Sequence, residues 1–548
     1  MGNSLRSIIR QELTQRREEG CDTTQIERRI RTALEDTDGT ENSEYEALYQ
    51  SLEGLEPVAT FPYDEPSNLT AIRALRPEGP RQMDVGLSDD DVLDRIHGAW
   101  LGRAAGCALG KPVEGWPKAK IDSYLSFTEA LPLDGYIPYA KDHPDGLVPR
   151  SPESTRGRIE AMERDDDMDY PLLGLLLLEK KGLDLTSRGM ANTWLSHMPY
   201  QLLYTAESVA YRNFVNDRWP PESATYRNPF REWIGAQIRA DVFGWVTPGW
   251  PEKAAELAYR DARISHVKNG IYGEMFVAAM LSAAFVTDDI ERIIEVGLSE
   301  IPASCRLAEA VSDTVAWCRE LSDWEAVWSR IRERYGHYHG VHTINNAALV
   351  VMGLLFGAND FETGIVVAVR GGWDTDCNGA TVGSILGARS GARALPAKWV
   401  GVFNDRLLSF VRGCNENSIS DLAARTYRVA KKIQEEGLSE PGSGGAGEDA
   451  EKSLVGSWSL TSSWAGVEGH YSLVVKPDLT GTLANPGWGM HYDLPKITVD
   501  GDTVGFDYSV DKDGWEMEVR FEGFVRGDTI TGDFFTGVGD MGVTGVRD

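Results

Sequence analysis

The sequence predicts a multidomain protein, an all-α core followed by a small all-β barrel or sandwich at the C-terminus. Three observations predict it. From Asp91 to about Glu436 apolar residues recur at helical spacing, in runs such as Glu252–Tyr259, Phe276–Phe285 and Asn346–Phe356, without strand alternation. A Gly/Ser-rich stretch from Ser439 to Gly447 then has the composition of a flexible linker. Beyond it the period becomes two, in Tyr471–Val475, Lys496–Val499, Val504–Tyr508 and Met517–Phe521. Asp500-Gly501-Asp502 and Arg526-Gly527-Asp528 supply hairpin turns between these strands.

The chain divides accordingly into an N-terminal helical and extended arm (1–88), a helical domain (89–436), a linker (437–452) and a β-rich accessory domain (453–548). Within the arm one helical stretch is expected near Leu5–Leu34, and Phe61-Pro62-Tyr63-Asp64-Glu65-Pro66 reads as extended backbone. The accessory domain shows no catalytic cluster, so a binding or oligomerisation role is expected of it, for a partner the sequence does not identify.

A chain of 548 residues, 42% hydrophobic and 25% charged, is long enough for several cores. No run of about 18 apolar residues is present, which excludes a membrane-spanning helix. Met1–Arg10 lacks the layout of a secretory signal, and the six cysteines form no Cys-x-x-Cys pair. A cytoplasmic location is therefore expected. The net charge of −29, without a local basic patch, argues against binding a nucleic-acid backbone. Only 15 of the 55 basic residues are lysines, a balance that suits a high-salt cytoplasm or reflects coding bias.

Glycines recur every four residues at Gly98, Gly102, Gly106 and Gly110, and again at Gly379, Gly383, Gly387 and Gly391. Residues four apart share a helix face, so each predicted helix carries a stripe without side chains. Each such glycine costs up to about 1 kcal/mol relative to alanine, and close backbone packing of helices is the compensation expected. Arg95, Arg103 and Arg389 rule against the membrane use of such stripes.

Two acidic clusters precede helices. Asp165-Asp166-Asp167-Met168-Asp169 stands before Pro171, a residue suited to a first turn, so the helix is expected to begin there. Asp374-Thr375-Asp376 follows Gly371-Gly372 and opens the second glycine helix. One aspartate at a helix N-terminus is ordinary capping. Adjacent acids repel unless a cation lies among them, and oxygen donors select a hard ion, Mg²⁺ or Mn²⁺. If the clusters converge, a two-metal site follows.

These residues carry a resemblance to the ADP-ribosylglycohydrolases. Arg95–Gly102 continuing to Gly106–Gly115 resembles the family's opening helix, and Glu163-Arg164-Asp165-Asp166-Asp167 its first metal motif. Ser265-His266 with Asn269, Gly270 and Gly273 is similar to the middle, substrate-facing segment. Gly371-Gly372-Trp373-Asp374-Thr375-Asp376-Cys377-Asn378-Gly379-Ala380-Thr381 resembles the C-terminal metal motif. The resemblance spans about residues 90–435, in order.

It implies an all-α domain holding two Mg²⁺ ions, or Mn²⁺, beside a cleft for the distal ribose of an ADP-ribosyl group. By motif position Asp165, Asp166, Asp374 and Asp376 would be metal ligands. Glu114 would orient water or gate the site, in a catalytic group with Asp165 and Asp166. Gly115, Ser265, His266, Asn269 and Gly270 would contact substrate. Asp167, Cys377 and Asn378 stand where they would complete a metal shell. The implied reaction is hydrolysis of an N- or O-glycosidic bond to ribose, removing ADP-ribose from a protein, nucleotide or small-molecule acceptor. The alternatives are hydrolysis of another riboside or N-glycoside on the same fold, or a non-catalytic scaffold bearing a β binding module.

The chain departs from the family pattern in places. Arg164 and Cys377 stand where the family usually has threonine, Asp167 adds a carboxylate, and Cys107 replaces a usual aspartate. These departures imply a divergent branch.

Other constellations carry less. Asp165-Asp166-x-x-Asp169 also fits the aspartate-rich motif of prenyl-diphosphate synthases, but those enzymes place their second acidic motif inside a helix. His337, His339 and His342 have no acid or cysteine close by to complete a zinc shell, and read as a loop leading into the Asn345-Asn346 helix. Ser265 and His266 could serve as nucleophile and base, but adjacent residues rarely face each other, so substrate contact is expected instead.

Overall fold

The computed structural model describes residues 4–35, 42–439, 449–464, 467–512, 515–537 and 539–548; the expected linker lies largely outside them. The N-terminal segment forms helices Leu5–Glu18, Thr24–Glu35 and Asn42–Glu53 around a small core of Ile8, Ile9, Ile26, Ile30, Leu48 and Leu52. The single helical stretch expected over Leu5–Leu34 is therefore broken. The break is at Gly20, whose φ of +83° disfavours any side chain and whose missing Cβ leaves room for the Phe61 ring. The Phe61–Pro66 segment has no regular secondary structure.

Buried charges dock this segment on the helical domain. Arg231 pairs with Glu12 (2.8 Å) and Glu19 (3.0 Å), and Arg306 pairs with Glu65 and Glu232, each at 2.7 Å. Such pairs specify one docking geometry rather than add much stability, because desolvation offsets most of the attraction.

At the centre of the helical domain lie the two glycine helices, Asp89–Gly110 and Thr375–Ser390. They run antiparallel with backbone against backbone. A Cβ on Gly98, Gly102 or Gly106 would overlap the carbonyl oxygen of Gly387, Gly383 or Gly379, and the converse overlaps hold. The expected compensation for these glycines is what the structure contains. Around the pair pack the wholly buried helix Asn269–Ala284 and the helix Thr343–Phe356, with Trp100 and Trp245 in contact at 4.5 Å between ring centroids.

The helix expected to begin at Pro171 begins five residues earlier. It spans Asp166–Lys181, Asp165 is its N-cap, and Pro171 lies inside it. A proline there cannot donate to the carbonyl four residues back, that of Asp167. The Arg103 Nε takes over as donor to that carbonyl, at 2.8 Å. The proline is tolerated because a neighbouring helix supplies the missing hydrogen bond.

The C-terminal segment is one antiparallel nine-stranded sheet that curls into a nearly closed barrel. Short strands β1 (Arg406–Leu408) and β2 (Glu416–Ser418) pair within the helical domain. The barrel comprises β3 (Gly456–Trp464), β4 (Val467–Val475), β5 (Gly481–Asn485), β6 (Met490–Leu494), β7 (Ile497–Asp500), β8 (Thr503–Lys512), β9 (Trp515–Arg526), β10 (Thr529–Thr536) and β11 (Gly539–Arg547). Their order is β6-β5-β4-β3-β11-β10-β9-β8-β7. Both predicted hairpin turns are present, with Gly501 at φ +64° and Gly527 at φ +59°. The interior is filled by Trp458, Leu473, Leu483, Phe506, Phe521 and Phe534.

Polar contacts fasten the barrel to the helices. Lys181 reaches Asp533 at 2.7 Å, Arg526 reaches Asp184 at 2.6 Å, and Arg260 reaches Asp502 at 3.0 Å. No described helix is long and apolar enough to cross a membrane.

Candidate metal centre

The glycine contact positions the site. Where the first glycine helix ends, Gly110 lies against Thr375 and Asp376 at the start of the second, and the Thr375 hydroxyl donates to the Gly110 carbonyl at 2.8 Å. The turn Lys111–Val113 then delivers Glu114 beside Asp374 and Asp376. Gly115, at φ +71°, donates its N–H to the Trp373 carbonyl at 3.1 Å, and Pro117 bridges to Gly372. The two loops are thereby laced together across the sequence.

Asp165 enters from the third side. Its carboxylate accepts the Asp167 N–H at 3.1 Å and lies 3.3 Å from Lys111. Arg103, fully buried, binds the Asp167 carboxylate at 3.0 Å and Asp241 at 2.7 Å. Asp374 donates its N–H to Asn346 Oδ1 at 3.3 Å, and the Asn378 side-chain amide donates to the same oxygen at 2.8 Å.

Among the described residues, ligand-type atoms converge in three overlapping groups, each within 4.8 Å: Glu114, Asp374 and Asp376; Asp167, Asp376 and Cys377; and Cys107, Asp165 and Asp167. Asp166 is in none of them. It follows the N-cap on a helix start that places Asp165 and Asp167 in the groups instead. Asp169 is occupied elsewhere, accepting from Arg164 (2.8 Å) and from the Phe410 N–H (3.2 Å). Arg164, standing where the family usually has threonine, is engaged with that aspartate and with the Leu202 carbonyl.

The electrostatics state the problem such a cluster poses. Burial, then Asp374 and Asp165, push the Glu114 carboxyl up to about 7. Burial and neighbouring carboxylates likewise raise Asp376 and Asp167, the latter against the pull of Arg103. Burial also raises Asp374. Lys111 pairs with Asp165, Arg103 is shared between Asp167 and Asp241, and Arg150 lowers Glu114 against the larger effect of burial. Asp376 Oδ1 and Asn378 Oδ1 are buried without a hydrogen-bond partner. Buried oxygens of this kind need a donor or a cation. The donor set therefore fits divalent cations, and oxygen dominates it as a hard ion requires.

The segment Ser265–Gly270 lies in a different environment. Ser265 Oγ accepts from Arg239 at 3.1 Å and lies 2.8 Å from His266 Nδ1, so these adjacent side chains do face each other. Both are fully buried, and burial and Arg239 hold the imidazole neutral. The Asn269 amide donates to Glu65 and Glu232, each at 2.8 Å, and Gly270 packs on the Arg231 carbonyl. None of the four hydrogen-bonds to Glu114, Asp165, Asp167, Asp374 or Asp376 among the described residues. His342 is the N-cap of the helix bearing Asn345 and Asn346, as expected, accepting the Ile344 N–H at 3.2 Å.

Sequence reasoning missed Arg103, Lys111, Asn346 and the part played by Cys107. Arg103 did carry a signal, as the one charge in the otherwise uncharged run Ile96–Gly110. Cys107 carried one too, standing where the family usually has aspartate, whereas an asparagine in an apolar helix carries none.

Taken together, fold and site define a helical protein with a buried, oxygen-rich candidate cation centre at its middle. The chain belongs to the ADP-ribosylglycohydrolase family, whose model matches residues 88–436. Membership of this generally metal-dependent hydrolase family supports a glycosyl-hydrolase activity, and the match ends before the barrel. A protein of Archaeoglobus fulgidus, itself uncharacterised, is 24% identical over 349 residues, covering 62% of this chain and 98% of its own. The solved structure of an ADP-ribosylglycohydrolase-related protein complex aligns with 62% of this chain and 99% of its own, at 20% identity and a TM-score of 0.40.

Proposed function

We propose that this protein hydrolyses an N- or O-glycosidic bond to ribose, removing ADP-ribose from a protein, nucleotide or small-molecule acceptor. The supporting observation is the convergence of half-buried Glu114 with buried Asp165, Asp167, Asp374 and Asp376 in a chain of this family. Those residues would hold two Mg²⁺ ions, with Mn²⁺ as the natural substitute. When bound, the ions supply positive charge for ribose hydroxyls and an activated water.

The chain's own residues do the rest. Glu114, on a loop tied to the Trp373 carbonyl through Gly115, orients the water or gates the centre. Asp165 is steadied by Lys111 and by its capping bond to Asp167. Asn346 holds Asp374 and Asn378 in register.

Calorimetric titration of ADP-ribose, with and without Mg²⁺ and at low and high salt, tests the reading. Mg²⁺-dependent binding that Asp374→Asn abolishes in a folded protein supports it. Metal uptake without ADP-ribose binding under any condition means that the substrate is another riboside. Absence of metal binding at millimolar Mg²⁺ would leave a scaffold.

A further inference from the structure

The carboxylate cluster is not chemically uniform. One group, Glu114, Asp374 and Asp376, is all oxygen, while the other two contain a thiol, Cys377 beside Asp167 and Asp376, and Cys107 beside Asp165 and Asp167. Thiols are poor ligands for Mg²⁺ and good ones for borderline first-row ions.

The two thiol groups differ in how their carboxylates are already compensated. Around Cys107, Asp165 has Lys111 at 3.3 Å and Asp167 has Arg103 at 3.0 Å. Around Cys377, Asp167 again has Arg103, but no ion pair reaches Asp376 among the described residues. Asp376 is 5% exposed, and its Oδ1 is buried without a hydrogen-bond partner. The fully buried Asn378, one residue beyond Cys377, also has an unpartnered Oδ1. The Cys377 thiol lies against the carboxylates of Asp167 and Asp374. A carboxylate without a direct ion pair and unused donor atoms thus coincide at Cys377.

We propose that Asp167, Asp376 and Cys377 form a thiol-bearing site for a borderline divalent cation of the Zn²⁺ class. The all-oxygen group of Glu114, Asp374 and Asp376 keeps a hard ion, so an ion of the Zn²⁺ class takes the place of the second Mg²⁺ of the proposed function. On binding, Cys377 Sγ forms the bond to the ion and its proton passes to solvent, so no oxidation state changes. Cys107 stays a buried thiol, since Lys111 and Arg103 already balance its neighbours. The proposal rests on the reading of the cluster as a cation centre but not on the substrate.

The test uses the full-length protein stripped of metal, then supplied with Zn²⁺ in the presence of millimolar Mg²⁺. X-ray absorption at the zinc edge is expected to show one sulfur neighbour at about 2.3 Å. Cys377→Ser removes that neighbour and weakens Zn²⁺ binding at least tenfold while changing Mg²⁺ binding less than twofold. Cys107→Ser leaves the sulfur neighbour in place. Bound zinc without a sulfur neighbour in the wild-type protein overturns the proposal, and that measurement needs no variant to fold. Survival of the sulfur neighbour in folded Cys377→Ser, or complete displacement of zinc by Mg²⁺, overturns it as well. Failure of ADP-ribose to bind leaves all these readouts standing, so it refutes only the substrate.

Discussion

Replacing Gly106 with alanine sets local propensity against tertiary packing, with opposite signs. In a helix interior the change gains about 1 kcal/mol, and restriction of the unfolded chain acts in the same direction. Packing in the folded protein reverses the sign. The added Cβ falls within the backbone of Gly379, with the Ala380 nitrogen also in reach, and none of these atoms can rotate away as a side chain would. The helices must separate along a contact that continues through Gly102–Gly383 and Gly98–Gly387. Overpacking of cores costs about 1–3 kcal/mol, and a rigid backbone partner places this case at or above the upper end. Net of the propensity gain, a loss of roughly 2 kcal/mol is expected, or about 2–3 °C in Tm for a domain of this size. Separation also moves Gly110 from Thr375, so Glu114 and the two C-terminal aspartates part and Mg²⁺ binding weakens. The assay is urea and thermal unfolding by far-ultraviolet circular dichroism, with a Mg²⁺ titration. Gly86→Ala is the control, since nothing lies within 4 Å of its added Cβ. A Gly106→Ala protein as stable as the wild type would refute the backbone-contact argument.

Two further outcomes follow from buried charge. Asp376→Asn relieves repulsion among carboxylates, so the metal-free variant should melt higher than the metal-free wild type. It should also lose the stabilisation that Mg²⁺ confers on the wild type, about 2.7 kcal/mol at a concentration one hundred times Kd; a lower metal-free Tm with an intact Mg²⁺ response would sink this. Glu18, in the N-terminal helix, is pushed up to about 8 by burial and by Glu232. The unfolded chain releases that proton near pH 4.5 while the folded protein keeps it to about pH 8, so stability falls as pH rises through this window. Glu18→Gln should therefore match the wild type near pH 4 and exceed it at pH 8.5 by up to about 5 kcal/mol, since holding a proton across one pH unit is worth about 1.4 kcal/mol. Equal melting temperatures at both pH values would contradict the assignment.

What the sequence by itself determined is what short-range pattern encodes. The four-residue glycine recurrence announced two helices with bare faces, because helical phase depends only on spacing. Acids before a helix start announced charge concentrated at a helix end, and Asp500-Gly501-Asp502 announced a hairpin, because turn conformation depends on a few adjacent residues. The helical and β segments were separable for the same reason.

Only the tertiary structure decided the rest. It seated the helix start at Asp166 rather than Pro171, because Arg103, 64 residues before Asp167, supplies the hydrogen bond the proline cannot. It brought Asp167 together with Asp376 and Cys377, since which side chains meet depends on the helix phase set by that start. It brought in Cys107 and Asn346 from other helices, and it buried Ser265 and His266 against Arg239. It also curled the strands into one nearly closed barrel rather than a sandwich. Each of these turns on contacts between residues distant in the chain, whose cost and gain no local window contains.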